Sequence, residues 1–213
     1  VLVIAWVMKA MHKVSEVVFG LNDTMTIASI PVSVIIVLGL FLLAVLYTST
    51  AGLFGVIATD LLQFLLAMTA SVALAILSWK HLEGRDGIIQ RFTEHGFDWS
   101  STTTLIPVGA QNTPQETTEF LLLIGVVWWS AKNVDGGSYL AQRMLSSKDD
   151  RHASWGYLWF AIANLCIRPW PWIIVGLAGM ALIGPIDDPE LYYPMMMNEI
   201  LPPGLFGLMV AAF

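Results

Sequence analysis

From Met25 to Tyr47 the chain runs for 23 residues without a charge, and about 20 such residues, wound as a helix, cross the hydrocarbon core of a bilayer. That stretch constrains everything around it. Hydrocarbon offers no hydrogen bonds, so each backbone N–H and C=O must be satisfied within the protein, which leaves helices or a closed barrel. Pro31, near the start of the run, is tolerable in a membrane helix. A second long apolar run, Leu53 to Trp79, has Asp60 as its only charge. Between them Thr48 to Gly52 reads as a tight polar turn, and two crossings joined so briefly must run antiparallel. Composition agrees: 56% of residues are apolar, 12% are charged and mean hydropathy is +0.70, whereas a soluble domain carries about twice that charge.

The remaining segments alternate in the same way. Val1 to Val18 is apolar but holds Lys9, His12, Lys13 and Glu16, which suits a helix end facing a protein interior or the interface. Lys80 to Thr118 is the one long hydrophilic stretch, and Ile88, Ile89 and Phe92 within it have amphipathic helix spacing. Glu119 to Leu145 is a further crossing, followed by the short charged turn Ser146 to His152. Trp155 to Ile183 is another, interrupted by Arg168-Pro169-Trp170-Pro171. Gly184 to Pro203 reads as an acidic, proline-bearing loop, and Gly204 to Phe213 begins a last crossing. The expected architecture is all-α: a multi-pass transmembrane bundle with spans near 1–19, 25–47, 53–79, 119–145, 155–183 and 204–213, the last truncated. Both ends fall inside apolar runs, so an internal piece of a longer protein is expected. Arg143, Lys148 and Arg151 are concentrated in one short turn, which puts that turn inside and the 80–118 segment on the extracytoplasmic face.

Within the fourth span lies a polar break, Trp128-Trp129-Ser130-Ala131-Lys132-Asn133-Val134-Asp135-Gly136-Gly137-Ser138-Tyr139. Charge at bilayer depth costs roughly 2.5 to 3.5 kcal/mol on insertion scales and persists mainly where it lines a site or a water path. Lys132 and Asp135 either neutralise each other on one helical face or line a substrate cavity; the second is favoured because a purely structural pair is replaceable by apolar residues at little cost. Gly136 and Gly137 either allow close helix packing or an unwound backbone, and the polar neighbours Asn133 and Asp135 favour unwinding. Trp129, Ser130, Lys132, Asn133, Asp135, Gly136, Gly137 and Ser138 are therefore the candidate substrate-binding set. Arg168 joins them, either pairing with Asp135 or gripping an anionic group bidentately. Thr59, Asp60 and Gln63 form a candidate cation path; for Asp60 the alternative is a hydrogen-bond acceptor for a neighbouring helix. Trp128, Trp155, Trp159, Trp170 and Trp172 fit interface belts and packing.

These features favour a secondary transporter over an enzyme. The chain has no HExxH motif, and His12, His81, His95 and His152 fall in or near polar segments. No cofactor is implied, Cys166 has no partner cysteine in the sequence for a disulfide, and a net charge of -6 argues against nucleic acid. The bilayer is the partner implied, no protein partner is inferable, and a channel or structural membrane subunit stays open as the alternative.

Tyr47-Thr48-Ser49-Thr50-Ala51-Gly52-Leu53, followed by Val56, Thr59-Asp60 and Gln63, resembles the turn pattern of the sodium:solute symporter family: Tyr, a few residues, Gly-Gly-Leu, then Thr-Asp and Gln. Gln142-Arg143-Met144-Leu145-Ser146-Ser147-Lys148 is similar to that family's Gln-Arg, small residues and Lys. Arg168-Pro169-Trp170-Pro171-Trp172, Tyr193-Pro194-Met195-Met196-Met197 and Leu201-Pro202-Pro203-Gly204-Leu205 resemble a bacterial branch of the family, which implies a bacterial inner membrane. The resemblance implies a LeuT-type fold of two inverted five-helix repeats and sodium as coupling ion, with a proton as the alternative, and leaves a small polar solute such as a sugar, amino acid, carboxylate or vitamin as substrate. It puts the polar break on the first helix of the second repeat. It also implies that the main sodium ligands lie outside 1–213, in the first core helix and in a Ser-bearing stretch beyond Phe213. Aligned on Gln142-Arg143, the family's Asp/Asn-Gln pair corresponds to Gly137-Ser138 and its aromatic gate to Asn133, so neither sugar-type recognition nor that gate carries over.

Overall fold

Gly52 is the point on which the fold turns. In the computed structural model, which describes residues 2–21, 25–27, 30–104, 114–128 and 137–212, the helix α2 (Val32–His81) is helical throughout except at Gly52, with φ 63° and ψ −170°. That region of backbone space is essentially open only to glycine. The turn expected over Thr48 to Gly52 is thus carried by one residue. Thr48, Ser49 and Thr50 stay helical, their hydroxyls donating to the carbonyls of Ala44, Val45 and Leu46. Short polar side chains are absorbed by their own helix in this way, so polarity alone does not break it.

The chain falls into two compact units, 1–95 with 170–213, and 96–169. In the first, α1 (Leu2–Phe19) leads to a small antiparallel pair, β1 (Thr26–Ile27) and β2 (Ile30–Pro31), with Thr26 opposite Pro31. Then come α2 and α3 (Gly84–Glu94). The expected amphipathic helix is α3, and it buries Ile88 and Phe92. A straight helix would hold Ser33 and Ser71 about 57 Å apart at 1.5 Å per residue. A short relay of contacts joins them instead: His12 Nε2 to Ser33 Oγ at 2.9 Å, Lys13 to Asp188 at 2.6 Å, and Tyr193 to Ser71 at 2.9 Å. The two arms of α2 therefore double back at Gly52.

The segment expected to be a loop, Gly184 to Pro203, is largely ordered as helix. A 3₁₀ turn, Pro189–Leu191, opens on Asp188, whose side chain accepts from the Glu190 N–H, and is followed by a helix Tyr192–Ile200. Pro194 sits in its first turn, where the missing N–H is not needed. This segment forms a cap whose Tyr192, Pro194, Met196 and Met197 are buried. It packs on α1, on α2 and on the helix Pro203–Ala212, which itself lies along α2. The core gathers at this end: Ala70, Leu74 and Ala75 recur at helical spacing on α2, with Leu82, Ile88, Phe92, Val175, Ala178, Met196 and Met197, all 2% exposed or less. Gly179 permits the closest approach, since a Cβ there would stand 3.1 Å from Tyr192 Cβ and 3.2 Å from Met196 Cγ. Ser78 Oγ is buried in the same stripe without a hydrogen-bond partner among the described residues.

In the second unit α4 (Trp99–Thr102) is capped by Asp98. Helix α5 (Pro114–Leu122) begins ahead of the expected Glu119 and continues as a π-helical stretch, Leu123–Trp128. Helix α6 (Gly137–Leu145) packs against α7 (Asp150–Ile162). The Asp149 carboxylate caps α7 by accepting from the His152 N–H at 2.8 Å, and that bond holds its pKa below the usual carboxylate range. A π turn, Ala163–Ile167, follows, and α8 (Pro169–Ile183) carries the chain on into the first unit. The interruption expected at Arg168-Pro169 has a local cause. Pro169 has no N–H and its ring crowds the preceding turn; Arg168 N–H bonds the Ala163 carbonyl at 2.9 Å, five residues back.

Among the described residues two helical segments, Val32–His81 and Asp150–Ile183, are long and apolar enough to cross a membrane, and Thr117–Val126 and Pro203–Ala212 are shorter apolar helices. Broken at Gly52, the first supplies two arms, 32–51 and 53–81, each about 30 Å or more in length.

Candidate functional site

Helix flanks the polar break on both sides, reaching Trp128 before it and resuming at Gly137. Of the candidate substrate-binding set, Trp129, Ser130, Lys132, Asn133, Asp135 and Gly136 lie outside the described residues. Gly137 and Ser138 open α6. Two π-helical stretches lie next to the candidate residues: Leu123–Trp128 directly precedes the break, and Ala163–Ile167 directly precedes Arg168. Such wide turns leave carbonyls imperfectly paired and are frequent at functional sites. The sequence offers a signal for the second in Pro169 and none for the first.

Arg168 is exposed, and its guanidinium Nη1 donates to Asn164 Oδ1 at 3.4 Å, one turn back. That contact is long for a hydrogen bond, and it orients the guanidinium along its own helix. Asn164 is a neighbour that sequence reasoning missed, although its spacing from Arg168 was the available clue.

In the candidate cation path, the Thr59 hydroxyl donates to the Gly55 and Val56 carbonyls at 3.0 and 2.9 Å. It is turned onto its own helix. Asp60 and Gln63 are exposed and three residues apart on the arm beyond Gly52, and this spacing brings them to one face. No group of three or more His, Cys, Asp or Glu suited to a metal occurs among the described residues.

A polar cluster that sequence reasoning did not foresee lies at the cap. Lys13 Nζ stands 2.6 Å from Asp188 Oδ2 and 2.5 Å from Glu190 Oε2. The Lys13 hydrogen bond holds the Asp188 carboxyl below its usual range. Asn198 Nδ2 donates to the Val17 carbonyl at 2.7 Å, and His12 Nδ1 faces Glu16 at 3.6 Å. Burial pushes the Tyr193 phenol above its usual value, partly offset by the bond with Ser71.

The family model of the sodium:solute symporter family matches residues 4–213. The chain belongs to that family. The family is one of membrane transporters, which agrees with an all-α chain built of apolar helices. A sodium/mannose cotransporter of Bos taurus is 27% identical over 195 residues, covering 78% of this chain and 32% of the relative. The chain therefore spans about a third of the length of the curated relative it matches. No solved structure matches it. Of the residues on which the resemblance rests, Gly52 has a direct geometric role, through its left-handed φ at the elbow of α2.

Proposed function

We propose that this chain is part of a sodium-coupled symporter that moves a small polar solute across a bacterial inner membrane by alternating access. The observation that carries the reading is the family match along nearly the whole chain, residues 4–213. On this reading the fold is LeuT-type, with about five full or nearly full crossings and the start of another, and the 80–118 segment is extracytoplasmic. The solute binds at the break, against Trp129, Ser130, Lys132, Asn133, Asp135, Gly136, Gly137 and Ser138. Helices meeting the site from either side are where such transporters hold their substrates. Arg168 contributes a guanidinium suited to a carboxylate. Asp60, with Thr59 and Gln63, attracts the cation as it leaves toward the inner face.

The bovine relative is a sodium/mannose cotransporter, but the two cations Lys132 and Arg168, with Gly137-Ser138 in place of the family's Asp/Asn-Gln, favour a solute bearing a carboxylate over a sugar. The test is uptake of labelled mannose, alanine, lactate and pantothenate into proteoliposomes holding the full-length protein, with and without an inward sodium gradient. Sodium-dependent accumulation of a carboxylate-bearing solute, lost in Asp135→Asn, is the expected result. Uptake driven by a proton gradient alone would overturn sodium coupling, and uptake indifferent to any gradient would favour a channel.

A further inference from the structure

The cap, residues 184–203, has two unlike seams. Toward α2 and α8 it is apolar and closed: Met196 and Met197 are fully buried, Tyr192 fits against Gly179, and Tyr193 is tied to Ser71. Toward α1 it is polar and partly wet. Lys13 is 25% exposed and its partners Asp188 and Glu190 are 34% and 61% exposed. Asn198, also exposed, reaches the Val17 carbonyl one turn further on. Among the described side chains of α1 only Ser15 is buried.

The two seams differ in how readily they part. Separating the first strips apolar surface and leaves buried groups without partners, a cost near that of local unfolding. Separating the second returns charged groups to water, which solvates them well, so exposed ion pairs hold weakly and reversibly. A double contact, one ammonium between two carboxylates joined by a 3₁₀ turn, fixes where the seam closes without locking it. Resting on the transporter reading above, we propose that Lys13, Asp188 and Glu190 form a releasable clasp: the cap stays with α2 and α8, parts from α1 once per transport cycle, and is returned to register by the ion pair. Lys13 then acts on the balance between closed and open states.

The clasp is tested in the full-length protein, freed of native cysteines, in proteoliposomes. Val17→Cys reports the polar seam and Met197→Cys the apolar one, each by its rate of labelling with a membrane-impermeant maleimide. Adding Lys13→Gln should speed labelling at Val17→Cys about fivefold, the scale of a weak ion pair acting on a two-state balance, and leave Met197→Cys unchanged, which also certifies folding. Lys13→Glu combined with Asp188→Lys and Glu190→Lys should return the slow rate. Equal acceleration at both reporters, or none at Val17→Cys, would overturn the clasp. An independent arm uses the pair Val17→Cys with Asn198→Cys: its disulfide should abolish sodium-driven uptake reversibly, while a disulfide across the apolar seam between Gly179→Cys and Tyr192→Cys, whose Cβ positions stand 3.1 Å apart, should leave it intact. If the cysteine-free parent shows no sodium-driven uptake, the transporter reading fails, and the labelling rates still decide whether the seam opens.

Discussion

The two ends of the folded-back helix α2 are built differently. At the cap end Ser33, Val37, Ala70, Ser71, Leu74, Ala75 and Ser78 are buried, mostly small residues against which the cap and the helix Pro203–Ala212 close. At the Gly52 end Leu42, Leu43 and Leu46 on one arm and Phe54, Leu61 and Leu62 on the other are more than half exposed, Phe54 by 84%. Of these two sets the buried one is the less apolar, with three serines among its seven residues, so hydropathy alone does not say which end is packed. Residue size does: small side chains mark where helices approach closely, and large ones mark a surface for lipid tails or other protein to cover. Hydrophobicity puts a segment in the membrane, and the distribution of volume along it determines which face meets protein.

Substitutions at the two ends should separate along the same line, read as shifts in thermal unfolding of the full-length protein in detergent. Met196→Ala opens a cavity at the cap and should cost about 2–5 kcal/mol. Gly52→Val forces a β-branched residue into the left-handed elbow and should cost about 1–3 kcal/mol; a smaller loss would mean that the elbow relaxes. Tyr193→Phe removes the hydrogen bond to Ser71 and should cost about 1 kcal/mol. Ser78→Ala removes a buried hydroxyl that has no partner among the described residues, and should be neutral or stabilise by up to about 1 kcal/mol. Phe54→Leu at the bare end should change stability by less than about 0.5 kcal/mol, and a large loss there would show that this surface is packed in the full-length protein.

Much of the helical layout is legible in the sequence because hydrocarbon imposes one solution on long apolar runs, and α3 is legible because Ile88 and Phe92 keep helical phase. The cap is not. Its Pro189 and Pro194 and its acidic residues read as loop, and its burial depends on the close approach that Gly179 allows to Tyr192 and Met196 and on packing against α2, far earlier in the chain. Lys13 reads as an interface residue, yet its partners Asp188 and Glu190 lie more than 170 positions on, with no local pattern to announce them. Most of the candidate site is legible only through the cost of charge at membrane depth, which identifies a segment and not the direction each side chain takes. Asn164 beside Arg168 illustrates the gap: spacing permits the contact, but the wide turn over Ala163–Ile167 sets its length.

That turn has a further consequence. A π turn is one residue more than an α-helical turn, so it acts as a single-residue insertion absorbed without a loop. It shifts by about 100°, the rotation per residue of an α-helix, the face on which Arg168 stands relative to the helix Asp150–Ile162. Deleting one residue from 163–167 would restore an unbroken helical turn there and carry Arg168 to another face.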